Sequence, residues 1–207
     1  REWFEANKKR YQASHAEACD FAEAVLAGLN KIDSIETVSG KKSLYRIYRD
    51  IRFSKDKTPY KTNRTGSFRR KGEERRGGYY FYISDDECMI GGGFYQPSPS
   101  DLTHIRKQIE LDATPLLKVL NSKSFKSYYG ELMGEKLKTA PKGFDKEDPN
   151  IELLRHKGFY VFHNFSTEEM LAEDFVKKVI DGYKKILPFF DVMTSYHTTD
   201  LNGESIL

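Results

Sequence analysis

The chain has 207 residues, 31% of them charged and 38% hydrophobic, with 14 Phe, 13 Tyr and one Trp and a formal net charge of +3. A chain of this size can bury a substantial core, and its many aromatic residues argue against disorder. Apolar runs such as residues 186–190 are far shorter than the roughly 20 residues that span a bilayer, which argues against a membrane-spanning protein and a membrane partner. Cys19 and Cys88 fit neither a disulfide framework nor a zinc spacing, so we expect a reduced, cytoplasmic domain.

Positive charge is concentrated in one stretch of the chain. Residues 41–76 contain 14 Lys or Arg and four Asp or Glu, a net charge of +10, whereas the remainder has 20 basic and 27 acidic residues, a net charge of −7. Such an excess creates a positive potential that attracts phosphate or carboxylate groups over about 8–10 Å at physiological salt. Alternatively, acidic side chains elsewhere in the same molecule neutralise it.

The N-terminal part of the chain predicts a helix followed by a strand. Apolar residues recur at three- and four-residue steps over residues 1–30, which is typical of amphipathic helix and is compatible with one helix or two. Residues 44–53 are rich in β-branched and aromatic side chains and predict a strand. Residues 54–78 lack an apolar period, and within them residues 54–60 are typical of an ordered turn and residues 69–78 of a mobile hairpin tip.

A hairpin and several helices are predicted in the middle of the chain. Residues 79–83 and 88–95 predict two antiparallel strands. Ser100 is suited to cap the next helix, and a second turn or helix covers residues 112–120. Residues 122–150 are rich in Lys, Gly and Pro and are predicted to be mostly irregular.

The last quarter of the chain completes the predicted fold. Asp148-Pro149 predicts a helix start, and residues 159–165 predict a strand. Residues 166–169 (STEE) match a capping box before a long closing helix, in which Pro188 introduces a bend or a new start. Because strands and helices segregate along the chain, we predict an α+β fold: an antiparallel sheet of several strands with helices packed on one face, in a single domain of residues 1–207.

The sequence contains no established metal-binding or nucleophile motif. The histidines lack the spacing of metal ligands, and no G-x-S-x-G elbow is present, so we expect no metal and no cofactor. The five histidines are His15, His104, His156, His163 and His197.

One glycine run is a candidate for phosphate binding. Gly91, Gly92 and Gly93 follow a predicted strand, and a Gly-rich turn before a helix can hold phosphate through its backbone N–H groups. The run does not match a dinucleotide fingerprint or a P-loop, and glycines in a strand more often mark a bulge or close packing.

Residues 46–61 (RIYRDIRFSKDKTPYK) are the densest candidate site. Basic side chains are interleaved there with aromatic ones, and arginines beside aromatic rings bind phosphates and stack on bases or sugars. The two aspartates, in the alternative reading, neutralise the arginines and hold a turn. The predicted ligand-binding residues are Arg46, Arg49, Asp50, Arg52, Lys55, Asp56, Lys57, Tyr60 and Lys61, with Tyr80, Gly91, Gly92 and Gly93 nearby.

Several separated stretches occur in a recognisable order. They are EWFEANKKRY at residues 2–11, RIYRDIRFSKDKTPYKT at 46–62, GYY at 78–80, GGGFYQP at 91–97 and PKGFD at 141–145. Together they resemble the bacterial domain of unknown function 2461 family over nearly the whole chain. The resemblance implies a soluble, single-domain, conserved hypothetical protein and supplies no catalytic residue.

The residues leave three functions open. The working hypothesis is an anion-binding pocket in residues 46–61 for a phosphorylated small molecule or nucleotide. If that pocket is enzymatic, Asp50 or Asp56 would serve as a general base.

Two alternative functions use other parts or other properties of the basic stretch at residues 41–76. Residues 64–76 would bind nucleic acid as a basic arm, with Tyr79, Phe81 and Tyr82 as stacking faces. In the third reading the protein is structural or an interaction partner, and the charges of residues 46–61 pair with one another.

Overall fold

The computed structural model describes residues 2–207, in which four antiparallel strands form one sheet. The strands lie side by side in chain order, β1 (Arg64–Arg69), β2 (Gly78–Ile83), β3 (Cys88–Phe94) and β4 (Phe159–Phe165). Residues 70–77 join β1 to β2 and residues 84–87 join β2 to β3, whereas a helical segment separates β3 from β4. The α+β fold is confirmed.

Nine helices accompany the sheet in the described part of the chain. Ser98, and not Ser100, accepts the capping hydrogen bond of the fourth helix from the backbone N–H of Asp101 (3.1 Å). The predicted capping box at Ser166 and Glu169 is present, but it begins a separate five-residue helix and not the long closing helix, which continues through Pro188. The helices are α1 (Glu2–Ala6), α2 (Lys8–Leu29), α3 (Gly40–Ser43), α4 (Pro99–Leu111), α5 (Thr114–Leu120), α6 (Lys123–Tyr129), α7 (Ile151–Leu154), α8 (Thr167–Leu171) and α9 (Phe175–Thr198).

The helices pack on one face of the sheet, as predicted. Phe21 of α2 lies edge-on against Phe81 of β2, with ring centroids 5.4 Å apart, and Phe190 of α9 lies against Tyr79 at 5.1 Å. We call the opposite face, which carries Tyr80, Tyr82, Gly91, Tyr160 and Phe162, the open face; strand register places these residues together.

The predicted strand at residues 44–53 is wrong. Leu44 makes an isolated bridge to Gly66 at the edge of β1, and the chain then folds back on itself, so that Tyr48 bridges Tyr60. The adjoining segment that lacked an apolar period contains β1 instead. Apolar alternation is weak there because β1 is at the edge of the sheet and holds Gly66 at a core-facing position, where a Cβ would meet the Phe81 ring.

A buried ion pair joins the sheet to its helices. The Arg70 guanidinium donates to the Asp33 carboxylate (Nε to Oδ2, 2.6 Å), and both side chains are about 95% buried. The Tyr79 hydroxyl donates to the same carboxylate oxygen at 2.7 Å, and burial together with this bond raises the pKa of Tyr79. Arg70 also donates to the carbonyl of Arg76 and lies 5.1 Å from the centre of the Phe190 ring.

We expect Asp33→Ala to lower the free energy of unfolding by about 3–5 kcal/mol, because it leaves the buried Arg70 charge with only the exposed Asp191 carboxylate, 3.8 Å away, as an acidic neighbour. Urea denaturation measures this loss. Glu36→Ala is the matched control, because its ion pair with Arg69 is exposed and contributes about 1 kcal/mol at most. Equal losses of unfolding free energy in Asp33→Ala and Glu36→Ala would contradict a special contribution of the buried Arg70–Asp33 pair.

A second buried group makes stability depend on pH. His197 stacks on Phe94 with ring centroids 4.8 Å apart, and its Nε2 is buried without a hydrogen-bond partner in the described residues. Burial lowers the pKa of His197 to about 4, with Arg76 acting in the same direction and Asp101 against it. The unfolded chain therefore binds more protons than the folded one between pH 4 and about 6.5.

Stability is thus expected to fall by about 2 kcal/mol on lowering the pH from 7 to 5, from His197 alone. Burial also lowers the pKa of His156, which adds to the loss. Urea unfolding at the two pH values measures the slope. His197→Phe retains the stacked ring and should flatten the slope; an undiminished slope in this variant would refute the role of His197.

Candidate functional site at the edge of the open face

Residues 46–61, which we call the hairpin, lie beside the β1 edge of the sheet. The Lys61 backbone N–H donates to the carbonyl of Ile47 (2.8 Å), and that of Arg49 donates to the carbonyl of Pro59 (3.0 Å). The Tyr60 ring stacks on Phe4 of α1 with centroids 4.2 Å apart. Tyr60, one of the predicted ligand-binding residues, therefore fastens the hairpin to the N-terminal helices.

Two of the three arginines in the hairpin are paired. Arg49 forms an ion pair with Asp56, and Arg52 donates to both carboxylate oxygens of Asp50, with the shortest distance 2.6 Å. Hydrogen bonds from Thr58 and Arg49 hold the pKa of Asp56 well below its usual range, and those from Arg52 lower the pKa of Asp50. Carboxylates with lowered pKa values are weak bases, so this geometry does not favour a general-base role.

The remaining cations of the hairpin are not matched by carboxylates. Within residues 2–207, Arg46, Lys55, Lys57 and Lys61 have no Asp or Glu oxygen within 4.0 Å. Lys57 donates to the carbonyl of Ile51 (2.9 Å). The Lys61 ammonium lies 5.7 Å from the centre of the Tyr45 ring, on the side where the hairpin meets the open face.

The glycine run lies in the middle of the sheet and does not form a turn before a helix. All three glycines belong to β3, paired with β2 on one side and β4 on the other. A Cβ at Gly91 would overlap the Val161 carbonyl oxygen and the Phe162 ring, and one at Gly92 would lie 2.9 Å from the Phe190 ring. Close packing therefore explains Gly91 and Gly92, and Gly93 has a positive φ of 140°, which favours glycine.

A row of aromatic side chains, of which only Tyr80 was a predicted site residue, crosses the open face. Ring centroids are 6.4 Å apart from Tyr45 to Tyr80, 5.7 Å from Tyr80 to Phe162, 5.5 Å from Phe162 to Tyr160 and 5.3 Å from Tyr160 to Tyr95. We call these five residues the aromatic row. Two features of the sequence relate to this row: the adjacent Tyr79 and Tyr80 in β2, and the glycines of β3. Neither shows which face of the sheet a ring lies on or how the strands are paired.

Within residues 2–207, three of the six basic side chains in the predicted arm at residues 64–76 are ion-paired, namely Arg69, Arg70 and Arg75. The first six residues of the arm form β1, Arg70 is buried against Asp33, and Arg75 pairs with Glu74 (2.7 Å). The predicted stacking faces Tyr79 and Phe81 are wrong, because both rings are buried beneath the helices. Tyr82 lies on the open face, as stated above.

Other features of the molecule lie apart from the hairpin. A cavity of about 330 Å³ opens between α6 and α9, lined by residues such as Ser122, Phe125 and Lys184. In residues 2–207 no group of three His, Cys, Asp or Glu side chains is placed to hold a metal ion. Over the same residues, no helix has both the length and the apolar character required to cross a bilayer.

Comparison with known families identifies the chain by sequence. A family model described as "Conserved hypothetical protein (DUF2461)" matches residues 1–192. The chain belongs to this family, as the motif order predicted. No curated protein and no solved structure matches it. The family description assigns no activity, so function has to be argued from the surface of the molecule.

The ion pairs of the hairpin are directly testable. Arg49→Ala should raise the pKa of Asp56 toward its usual value, though not fully, because the Thr58 hydrogen bonds remain. NMR titration of the carboxyl carbons measures the change. In the same variant the pKa of Asp50 should stay low, because its partner Arg52 is retained. A shift of both carboxyls together would mean that the hairpin has lost its fold.

Proposed function

We propose that the hairpin, where it meets the open face, binds an anionic ligand that carries phosphate or carboxylate groups. The observation that carries the proposal is the excess of unmatched cations beside exposed aromatic rings. Residues 46–61 hold six basic and two acidic side chains, a net charge of +4, and both acids are already occupied by Arg49 and Arg52. Arg46, Lys55, Lys57 and Lys61 supply the positive potential.

The paired and the unpaired charges of the hairpin have different roles in the proposed binding surface. The two arginine–aspartate pairs brace the tip of the hairpin, and Tyr60 anchors its base to Phe4. Lys61 extends beside Tyr45, whose hydroxyl is 3.1 Å from Ser67 Oγ in a hydrogen bond, and Tyr80 follows in the aromatic row. A ligand here would place its anionic group on the cations and its apolar or planar part against the rings.

A second candidate is an interaction role, which the two ion pairs favour. In that reading the hairpin is a rigid exposed loop that a protein partner recognises, with Phe53 fully available at its tip (95% exposed). In that reading the hairpin does not bind tripolyphosphate, so calorimetry of the wild-type protein distinguishes the two candidates.

The proposed function predicts that the wild-type protein binds tripolyphosphate, measured by isothermal titration calorimetry. Replacing both Arg46 and Lys61 by Ala should weaken this binding at least about tenfold, because two charge-assisted contacts are lost. Raising the salt concentration should weaken it too, since exposed charges are screened.

The matched control replaces Lys118 and Lys123 by Ala, which removes the same charge from exposed positions on α5 and α6. This double variant should bind as the wild type does. Equal weakening in both double variants would mean that only net charge matters, and absence of tripolyphosphate binding in the wild type would exclude the proposed function.

A further inference from the structure

In residues 2–207, the ring-to-ring contacts of the aromatic row involve no ring from a helix. The rings of Tyr80, Phe162 and Tyr160 contact one another and Tyr45 and Tyr95 at the two ends, whereas α2, α6 and α9 reach the sheet through Phe81, His163 and Tyr79 on the other face. Tyr45 and Tyr95 are 49% and 69% exposed. Aromatic rings left in such a row are unusual for a face that only meets water.

The geometry of the row depends on the glycines beneath it. Strands β2 and β4 are separated by β3 and so lie about 9–10 Å apart. The centroids of Tyr80 and Phe162 are nevertheless only 5.7 Å apart, because Gly91 between them has no side chain. The sheet thereby presents a continuous surface of rings across its strands.

The rings of the aromatic row do not stack face to face on one another, so their faces are available to a ligand. Neighbouring rings in the row are inclined by 53–67°. Planar groups of a ligand can therefore lie on ring faces, and polar groups such as Ser67 and Asn164 share this side of the sheet. Flat unpaired bases have both faces available for such contacts, whereas bases within a duplex do not.

The charged side chains near the aromatic row favour one class of planar ligand over others. At the Tyr45 end the row meets Lys61 and the unmatched cations of the hairpin. Of the acidic side chains near the row, Glu135 is paired with Lys157 (2.8 Å), whereas Glu87 near Tyr80 has no ion pair in residues 2–207, so the phosphates of a ligand are placed at the Lys61 end. A strand of nucleotides combines planar bases with a chain of phosphates, which matches a row of rings that ends at a cationic loop.

We propose that the open face binds single-stranded nucleic acid, with two or three bases stacked on the aromatic row and the adjoining phosphates on the hairpin. This proposal rests on the proposed function for its phosphate contacts, and it adds the rings of Tyr45, Tyr80, Phe162, Tyr160 and Tyr95 as the surface that selects nucleotides over other anions. It differs from the basic-arm hypothesis, which relied on rings that are buried.

The experiment measures binding of fluorescein-labelled dT12 by fluorescence anisotropy, in parallel with calorimetry of tripolyphosphate. Phe162→Leu and Tyr95→Leu retain apolar bulk and remove one ring each. We expect each to weaken dT12 binding about tenfold or more, in the range found for loss of one base-stacking contact. Tripolyphosphate binding should be unchanged in both variants. Trp3→Leu, an exposed aromatic on α1, is the control and should have no effect.

Two measurements guard against misfolding and against other occupants. Thermal melting reports whether Phe162→Leu is folded; Tyr95, being more exposed, is replaced at little structural cost. Photo-crosslinking of wild-type protein to an oligonucleotide with 5-iodouracil, followed by mass spectrometry, should label the aromatic row. Crosslinks confined to residues outside the row would overturn the proposal.

Other outcomes overturn the proposal and identify what failed. If dT12 binds but ring removal leaves its affinity unchanged, or if a duplex binds as tightly as dT12, binding is purely electrostatic and only the proposed function survives. If the wild type fails to bind dT12 while it binds tripolyphosphate, the same conclusion holds. If neither binds, both proposals fail. Self-association that protects the rings would assign the open face to a second copy of the chain.

Discussion

Three consecutive glycines in β3 constrain both faces of the sheet. On the core face, Gly92 lets the Phe190 ring of α9 approach the central strand, so the long closing helix lies directly on the sheet. On the open face, Gly91 lets the rings of Tyr80 and Phe162 converge from the two neighbouring strands. Any side chain at these positions would lift the helix on one side or separate the rings on the other. The close packing of the core and the continuity of the aromatic row therefore have the same cause.

Ion pairs play different roles in this molecule according to their burial. The Arg70–Asp33 pair is removed from water and completed by Tyr79, so each partner depends on the other for the stability of the fold. The pairs at Arg49 and Arg52 are more exposed and contribute chiefly to the shape of the hairpin tip. Four of the six basic side chains of the hairpin have no carboxylate partner in residues 2–207, and their charge gives the hairpin a positive potential. The same residue types thus form a structural element at one place and, at another, the surface for which we propose anion binding.

The chain belongs to a family whose description assigns no activity, and its candidate site is the hairpin where it meets the open face. Its two carboxylates have lowered pKa values and are engaged by arginines, so neither is poised to take up a proton. What the site does offer is cations without partners next to rings that are partly exposed. Those two features favour recognition of an anion with planar groups.

Much of the fold follows from the sequence alone, because local patterns determine it: the amphipathic α2 and α9, the capping box at Ser166, and the β2–β3 hairpin each depend on residues near one another in the chain. The sequence also determined where positive charge accumulates. Only the tertiary structure decided that residues 44–53 form no strand, that Tyr79 and Phe81 are buried while Tyr80 faces outward, and that Asp50 and Asp56 neutralise two arginines but no more. The physical reason is that strand pairing, the choice of the covered face and ion pairing depend on groups brought together from distant parts of the chain, and no local pattern records which partners will meet.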